Sequence, residues 1–263
     1  MEIAGLILDL DGTVYRGEEP VAGAPEFIRR LRREGVPFVY ATNRANRAPE
    51  EIAARLSGYG IDSDPREVVT AALATALYLR PVGSVFVIGE APLRQALAGA
   101  GFAEVAEDPD YVVVGLDRGV DYDKLNRAVH AIRRRARYVA TNPDLLIDAG
   151  GGEEDIGNGT ILAAITAATG VEPLVIGKPH APLFEIALAR LGVPPERREH
   201  VLVVGDNLDT DVRGGIRAGL RTAWMTTGVA QPDAGRGVRP DFRVDGYEEL
   251  ARLVFGPRTS VPG

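Results

Sequence analysis

Short apolar runs alternate along the chain with longer segments in which apolar residues recur every three or four positions. The short runs have the length of buried strands, and the longer segments have the period of amphipathic helices. Such an alternation is typical of an α/β fold, in which parallel strands form a sheet and helices cross between them. The pattern therefore predicts an α/β protein with a mostly parallel sheet.

The same pattern gives bounds for the elements. Prolines near helix starts, and Gly35 after the first helix, support these bounds because proline fits a first turn and glycine commonly ends a helix. The predicted strands are 3–8, 37–41, 84–88, 111–116, 138–140, 174–176 and 200–204. The predicted helices are 25–34, 49–57, 67–79, 92–97, 121–135, 160–168, 182–191 and 208–218.

Composition and charge narrow the class of protein. Of 263 residues, 45% are apolar and 25% are charged, as in an ordinary soluble globular protein. A net charge of −7 argues against nucleic acid or an anionic membrane as the main partner. The chain has no cysteine, which excludes disulfides and thiolate metal sites, and no apolar run is long enough to span a membrane. The first residues do not resemble a signal peptide, so we expect a cytoplasmic protein.

Two aspartates follow the first predicted strand. Asp9 and Asp11 are separated by one residue, and Gly12 then lets the chain turn. Ligands of open α/β sheets lie at the carboxyl ends of strands, where one carboxylate can attack phosphorus and the other can transfer protons. The simpler interpretation is a strand-exit turn, in which Asp and Gly are common. A calcium-binding EF-hand loop is excluded because its third acid and its closing Glu are missing.

The sequence Asp9-Leu10-Asp11-Gly12-Thr13 after an apolar strand resembles the first motif of the haloacid dehalogenase superfamily, whose members are mostly phosphatases. The resemblance implies a Rossmann-like core with a doubly wound parallel sheet. It also implies that Asp9 is the nucleophile and that Asp11 is the general acid and base. Three further motifs should follow in order, each at the end of a strand.

Two of these motifs supply phosphate-binding groups. Thr42 and Asn43 follow the second predicted strand, and a hydroxyl with the following backbone N–H groups can bind phosphate oxygens, although such a pair alone is more often a turn or helix cap. Lys178 and Lys124 are the only lysines among thirty basic residues. Lys178 follows a strand, and its compact ammonium can contact nucleophile and phosphate together better than a guanidinium can. We expect Lys124 to be a surface charge.

The last motif contains Asp206 and Asp211, after the strand predicted at 200–204. Several carboxylates and a phosphate dianion in one pocket would require a cation besides a lysine, and oxygen ligands suit Mg²⁺. By the resemblance, Mg²⁺ is bound by the carboxylates of Asp9 and Asp206 and by the backbone carbonyl of Asp11. The resemblance also implies that Asp211 braces the waters of the metal, or the lysine.

The stretch between the second and third motifs is about one hundred residues longer than the core needs, which is enough for an inserted domain. It has its own pattern of strands and helices. An insertion at this point is similar to the α/β cap domain of the C2 type. We therefore predict a core domain of residues 1–79 and 175–263, and a cap domain of residues 80–174. The resemblance also allows a homodimer that forms through this cap.

Further segments resemble class IIA of the superfamily, the NagD and nitrophenyl-phosphatase subgroup. They are 9–17, 114–117, 140–144, 157–159, 176–179 and 205–211. Two positions depart from the usual pattern, Arg44 in place of Asn and Ile156 in place of Pro. We expect six cap residues to face the leaving group of the substrate and to set specificity, since unpaired polar groups discriminate against wrong substrates. They are Asp117, Asn142, Asp144, Gly157, Asn158 and Gly159.

These observations lead to the hypothesis of a Mg²⁺-dependent phosphomonoesterase that acts on a small phosphorylated metabolite through an aspartyl-phosphate on Asp9. Lys178, Thr42 and Asn43 would hold the phosphoryl group, and Asp11 would protonate the leaving alcohol and then activate water. Two alternatives stay open. A phosphotransferase or mutase would use a sugar hydroxyl in place of water. A non-catalytic phosphate-binding regulator should have lost part of the catalytic set, which is complete here.

Overall fold

A computed structural model describes residues 2–150, 153–228 and 237–256, and it confirms the predicted α/β class. The strands are β1 Gly5–Leu8, β2 Tyr15–Arg16, β3 Glu19–Pro20, β4 Phe38–Thr42, β5 Val68–Thr70, β6 Ser84–Ile88, β7 Ala103–Glu104, β8 Tyr111–Val114, β9 Arg137–Ala140, β10 Leu146–Gly150, β11 Glu153–Ile156, β12 Leu174–Val175, β13 Val201–Gly205, β14 Arg221–Met225 and β15 Phe242–Val244. The helices are α1 Ala24–Arg33, α2 Pro49–Gly58, α3 Ala71–Tyr78, α4 Ala91–Gly99, α5 Tyr122–Arg133, α6 Asn158–Thr169, α7 Ala181–Leu191, α8 Arg213–Arg217 and α9 Tyr247–Phe255. Among the described residues, none of the helices combines the length and apolar character that crossing a membrane requires.

The chain divides into two compact units, of which the first comprises Met1–Ala41, Ile52–Val68 and Ala187–Gly263. Its sheet has the strand order β15-β14-β13-β1-β4-β5. Strand β1 pairs in parallel with both β13 and β4, and all four of its residues are buried. A strand buried on both faces explains the continuous apolar run in the sequence. The carboxyl ends of β1 and β13 are neighbours, and a hydrogen bond of 2.9 Å from the N–H of Asp9 to the carbonyl of Val204 joins them.

The second unit comprises Thr42–Glu51 and Val69–Ile186. Its five-stranded sheet has the order β12-β9-β8-β6-β7, and every pairing in it is parallel. Side chains of β6, β8 and β9 pack against helices α5 and α6 in an apolar core. Because the strands are parallel, the loops that follow β8, β9 and β12 leave the same edge of the sheet. The antiparallel hairpin of β10 and β11 belongs to the same unit.

Several elements differ from those expected. The helix predicted at 67–79 begins only at Ala71, because the buried valines before it form β5 and the Thr70 hydroxyl accepts the N–H of Leu73 as a helix cap. The helix predicted at 208–218 is a π-helical turn, Leu208–Val212, followed by α8. Both short hairpins, and the elements β7, β14, β15 and α9, were not predicted. The domain bounds at residues 80 and 174 stay a prediction.

Candidate active site

Three carboxylates lie together at the carboxyl edge of the first sheet. Asp9 follows β1, while Asp206 and Asp211 follow β13. Each offers an oxygen within 4.8 Å of the oxygens of the other two. Asp9 is only 8% exposed and Asp211 only 1% exposed, so little water screens the repulsion between them. The arrangement of these three predicted residues therefore suits a divalent cation with oxygen ligands, as Mg²⁺ has.

Backbone close to Asp206 fixes the position of its carboxylate. A Cβ atom added to Gly12 or to Gly228 would lie less than 3.0 Å from the side chain of Asp206. Gly12 also has a φ of +82°, which disfavours any other residue there. The indole N–H of Trp224 donates to the carbonyl of Asp206 at 2.8 Å, and the hydroxyl of Thr227 donates to the carbonyl of Gly12 at 3.0 Å. The end of β14 and the loop after it thus support the carboxylate cluster.

Asp211 is held by the turn in which it lies. Its Oδ2 accepts the backbone N–H of Asn207 at 3.2 Å, and the side chain of Asn207 in turn accepts the N–H groups of Asp209 and Thr210. A side chain at Gly205 would collide with the carboxylate of Asp211. The π-helical turn that contains Asp211 is a form found frequently at functional sites. Asp211 is therefore a third carboxylate of the cluster, in addition to the ligands that the resemblance implied.

Asp11 lies at the tip of the loop that follows β1. The hydroxyl of Tyr15 donates to Oδ2 of Asp11 at 3.5 Å, and the ring of Tyr15 lies 4.5 Å from the guanidinium of Arg55. The same loop is fixed from another side, because the hydroxyl of Tyr247 donates to the carbonyl of Thr13 at 2.8 Å. Burial raises the pKa of Tyr247 well above its ordinary value, so this hydroxyl remains a donor at any physiological pH.

The phosphate-binding candidates lie in the second unit. Thr42 is 2% exposed, and its hydroxyl oxygen accepts the N–H of Arg44 at 3.2 Å. Lys178 follows β12 and is only 3% exposed. The side chain of Asn43 lies against the backbone of Lys178, since its Oδ1 accepts the N–H of Lys178 at 2.7 Å and its Nδ2 donates to the carbonyl at 3.0 Å. A phosphate-binding role for Asn43 would therefore fall to its backbone N–H group.

Five of the six predicted cap residues, all except Asp117, form a hydrogen-bonded group in the same unit. Asp144 accepts hydrogen bonds from the amides of Asn43 and Asn142, and the amide of Asn158 donates to the carbonyl of Asn142 at 2.7 Å. Gly157 and the glycine at 159 donate their N–H groups to the carbonyls of Leu145 and Asp144. There is no room for a Cβ at either glycine, because the carbonyls of the 143–145 segment are too close. Contact of the six predicted cap residues with a leaving group stays a prediction.

Lys124 lies at the surface, as expected, with 31% of its side chain exposed, but it also forms an ion pair with a buried acid. Its Nζ lies 2.9 Å from Oδ2 of Asp117, which is only 6% exposed, and it also donates to the carbonyl of Gly119 at 2.8 Å. The other oxygen of Asp117 accepts the N–H of Gly119 at 2.8 Å. The loop after β8 folds back towards the start of α5, which the position of Lys124 on an amphipathic helix did not reveal. A buried carboxylate requires such a partner.

Comparisons with known proteins place the chain in a family. A model of haloacid dehalogenase-like hydrolases matches residues 6–103, and a HAD-hydrolase-like model matches residues 175–250. The chain is 39% identical to the 5′-nucleotidase YutF of Bacillus subtilis over 86% of this chain and 88% of that protein. It is 41% identical to an acid sugar phosphatase of Staphylococcus haemolyticus over 86% of each chain. The solved structure of NagD from E. coli K-12 has a TM-score of 0.87 and 32% identity, covering 95% of this chain and 98% of that one.

The chain belongs to the haloacid dehalogenase superfamily, in its class IIA of NagD-like phosphatases. This confirms the resemblance on which the sequence analysis relied. The relatives hydrolyse phosphate esters according to their names, and the chain is an enzyme of that class, a phosphoric monoester hydrolase. The Tyr15, Trp224 and Thr227 contacts were not foreseen. A Thr-Thr-Gly sequence after β14 is the signal that could have drawn attention to the last of these.

Proposed function

We propose that the protein is a Mg²⁺-dependent phosphatase that hydrolyses a small phosphorylated metabolite through an aspartyl-phosphate on Asp9. The observation that carries this proposal is the cluster of Asp9, Asp206 and Asp211, whose oxygens lie within 4.8 Å of one another at the edge of the first sheet. Two of the three acids, Asp9 and Asp211, are buried, and such a cluster is costly without a cation. A structural role would be served better by uncharged residues.

The reaction has two steps, in which the aspartyl-phosphate forms and is then hydrolysed. A carboxylate oxygen of Asp9 attacks phosphorus, and the bond to the leaving oxygen breaks as Asp11 gives that oxygen a proton. Asp11, now ionised, accepts a proton from water as the water attacks the aspartyl-phosphate, which releases inorganic phosphate and restores Asp9. Thr42, Asn43 and Lys178 supply donors for the phosphate oxygens.

Mg²⁺ would be held by the carboxylates of Asp9 and Asp206 and by the backbone carbonyl of Asp11, with Asp211 beside them. When bound, the ion supplies positive charge that stabilises the negative charge of the phosphoryl group in the transition state. The oxygen donors of this cluster fit such an ion in chemical type and in spacing.

For the substrate, we propose a phosphate ester of a sugar hydroxyl. The activities for which the two relatives are named, 5′-nucleotidase and acid sugar phosphatase, share this chemistry. Both leaving groups are alcohols that need protonation, which gives Asp11 a function. The departures at Arg44 and Ile156 stand outside the proposed catalytic set, so they affect the choice of sugar or base rather than the reaction.

The experiment that tests the proposal measures release of inorganic phosphate from sugar phosphates, nucleotides and 4-nitrophenyl phosphate, with Mg²⁺ and with a chelator. We expect turnover only with Mg²⁺. Asp9→Asn should lower kcat at least about a thousandfold because an amide does not attack phosphorus. Its circular dichroism should equal that of the wild type, and mass spectrometry should show no deamidation. Turnover in such a sample, or equal turnover with the chelator, would exclude the proposed mechanism.

A further inference from the structure

The amide of Asn43 binds both backbone groups of a single residue. Its oxygen accepts the N–H of Lys178 at 2.7 Å, and its nitrogen donates to the carbonyl of Lys178 at 3.0 Å. Gly177, just before the lysine, has no room for a Cβ, which would lie 2.6 Å from the oxygen of Asn43. The position of the Lys178 backbone therefore depends on one side-chain amide that is 135 residues away in sequence.

We call the two hydrogen bonds between the side chain of Asn43 and the backbone of Lys178 the amide clamp. It forms in only one orientation of the amide. The N–H of Lys178 can only donate and its carbonyl can only accept, so Asn43 must present its oxygen to the first and its nitrogen to the second. If the amide were rotated by 180°, its NH₂ group would face the N–H of Lys178, and its oxygen would face the carbonyl of Lys178. A donor would then face a donor, and an acceptor would face an acceptor. The backbone of Lys178 itself therefore favours the orientation that forms the amide clamp, and any further group that accepts from the NH₂ end of the amide adds to the preference.

Asp144 is such a group. The nitrogen of Asn43 also donates to Oδ1 and Oδ2 of Asp144, at 3.2 and 3.1 Å. An ionised carboxylate has no proton to donate, so it accepts the NH₂ end of the amide and repels the oxygen end. Charge-assisted hydrogen bonds are about twice as strong as neutral ones. The carboxylate therefore stabilises the single orientation in which Asn43 binds Lys178.

Asp144 is itself held by hydrogen bonds from residues other than Asn43. The amide of Asn142 donates to its Oδ2 at 2.7 Å, and the hydroxyl of Thr141 donates to the oxygen of Asn142 at 2.8 Å, which orients this second amide. The N–H of Gly159 donates to the backbone carbonyl of Asp144 at 2.8 Å. These contacts lie in a buried part of the second unit, where Thr141 is fully buried and Asn142 is 6% exposed.

We propose that Asp144 is a positioning residue for Lys178, acting through Asn43, and that it does not select the leaving group of the substrate. The inference rests on the proposed function, since it assumes that Lys178 binds the phosphoryl group. All substrates carry the same phosphoryl group. A residue that acts through Lys178 therefore affects every substrate by the same factor, whereas a residue that contacts the leaving group changes their order.

The primary variant is Asp144→Asn, which keeps the size of the side chain and removes its charge. Whichever way the new amide turns, its NH₂ end faces a donor of Asn43 or of Asn142. A displacement of a catalytic group by about 1 Å can cost on the order of a hundredfold in rate. We expect kcat/KM to fall about 10- to 100-fold, by the same factor for 4-nitrophenyl phosphate, sugar phosphates and nucleotides. The matched control is Asp155→Asn, an exposed acid on β11, which should change kcat/KM less than twofold.

A double-mutant cycle with Lys178→Ala separates positioning from a general structural effect. If Asp144 acts through Lys178, adding Asp144→Asn to Lys178→Ala should change kcat on 4-nitrophenyl phosphate less than about twofold. An equal loss in both backgrounds overturns the inference, and so does a changed order of substrates. If Asp144→Asn does not fold, the same measurements are made on Asn142→Ala, which leaves both hydrogen bonds between Asn43 and Asp144 in place and should cause a smaller uniform loss.

The two proposals fail in different ways. Wild-type protein that releases no phosphate, or Lys178→Ala that keeps the wild-type kcat, overturns the proposed function and with it the inference. If Lys178→Ala loses its kcat while Asp144→Asn stays fully active, the proposed function stands and the positioning role of Asp144 is wrong.

Discussion

Tyr15 contacts the proposed general acid although it belongs to none of the catalytic motifs. Its side chain is 1% exposed, and its hydroxyl donates to the carboxylate of Asp11 at 3.5 Å. On its other side, the guanidinium of Arg55 lies 4.5 Å from the ring centroid and donates to the hydroxyl of Tyr59 at 2.8 Å. A cation over an aromatic ring restrains the ring, so the hydroxyl of Tyr15 is well placed to orient Asp11.

We predict that Tyr15→Phe affects substrates according to their leaving group. A sugar alcohol requires a proton as it leaves, whereas nitrophenolate leaves readily without one. We expect kcat/KM for a sugar phosphate to fall about tenfold, and kcat/KM for 4-nitrophenyl phosphate to fall less than about threefold. The measurement is steady-state kinetics on both substrates, with Tyr59→Phe as the control, because that hydroxyl contacts Arg55 and not Asp11. Equal losses on the two substrates would argue against an effect through Asp11.

The sequence was sufficient to place the carboxylates that lie at strand ends. Asp9, Asp206 and Asp211 were predicted as a group because the family resemblance places its motifs at the ends of parallel strands, and such strands deliver their carboxyl ends to one edge. The sequence did not reveal that Asn43 uses its side chain on Lys178, or that Lys124 pairs with a buried acid. Such contacts join loops that are distant along the chain, and neither periodicity nor local composition records them.

At the scale of elements, the start of helix α6 is fixed by close backbone packing. A Cβ at Gly159 would lie less than 3.0 Å from the carbonyl of Pro143, and Gly157 is similarly close to the carbonyl of Asp144. The N–H groups of both glycines donate to carbonyls of this segment. The two glycines therefore allow the helix to approach the loop that carries Asn142 and Asp144.

We predict that Gly159→Ala destabilises the protein. Alanine has a better helix propensity than glycine, which would add roughly 1 kcal/mol to the free energy of unfolding. The methyl group would, however, push helix α6 away from the loop at residues 143–145, and such overpacking typically costs about 1–3 kcal/mol or more. The control is Gly99→Ala, near the end of α4, where no atom lies within 4 Å of the added Cβ. This control should be neutral or slightly stabilising. Chemical denaturation of both variants measures the difference, and equal stability of Gly159→Ala and wild type would contradict the packing argument.

Strong local patterns predicted most helices and central strands, and weak ones failed. Helix α1 was predicted within a residue at each end because proline, apolar spacing and Gly35 agree. Strand β14 contains Arg, Thr and Trp among its five residues, so it lacks the continuous apolar run of the central strands. The two-residue strands β2, β3 and β7 depend on tertiary pairing rather than on propensity, which explains why they were missed.

At the scale of the whole molecule, stability should depend on the metal. The cluster of Asp9, Asp206 and Asp211 places three acids together in the first unit, and repulsion between them opposes folding when no cation is bound. A ligand at a hundred times its Kd stabilises the folded state by about 2.7 kcal/mol, which corresponds to a rise in Tm of roughly 5–10 °C for a protein of this size.

We therefore predict that Mg²⁺ raises the Tm of the wild type and that a chelator reverses the rise. Calorimetry or circular dichroism at a series of Mg²⁺ concentrations makes this measurement independently of activity. Asp206→Asn should raise the Tm of the metal-free protein, since it removes one charge from the cluster, and should abolish most of the response to Mg²⁺. An unchanged response in this variant would show that Mg²⁺ binds elsewhere.

The hydrogen bonds between Asn43 and Asp144 also bear on recombination between relatives. Asp144 lies within the insertion predicted at residues 80–174, while Asn43 and Lys178 lie on either side of this range along the chain. Consider a chimaera that receives residues 80–174 from a donor protein without an acid at position 144. It would keep Lys178 and the amide of Asn43 but would lack the carboxylate that orients this amide. An active chimaera should therefore take residues 43, 144 and 178 from the same parent, even though no two of them are neighbours in the gene.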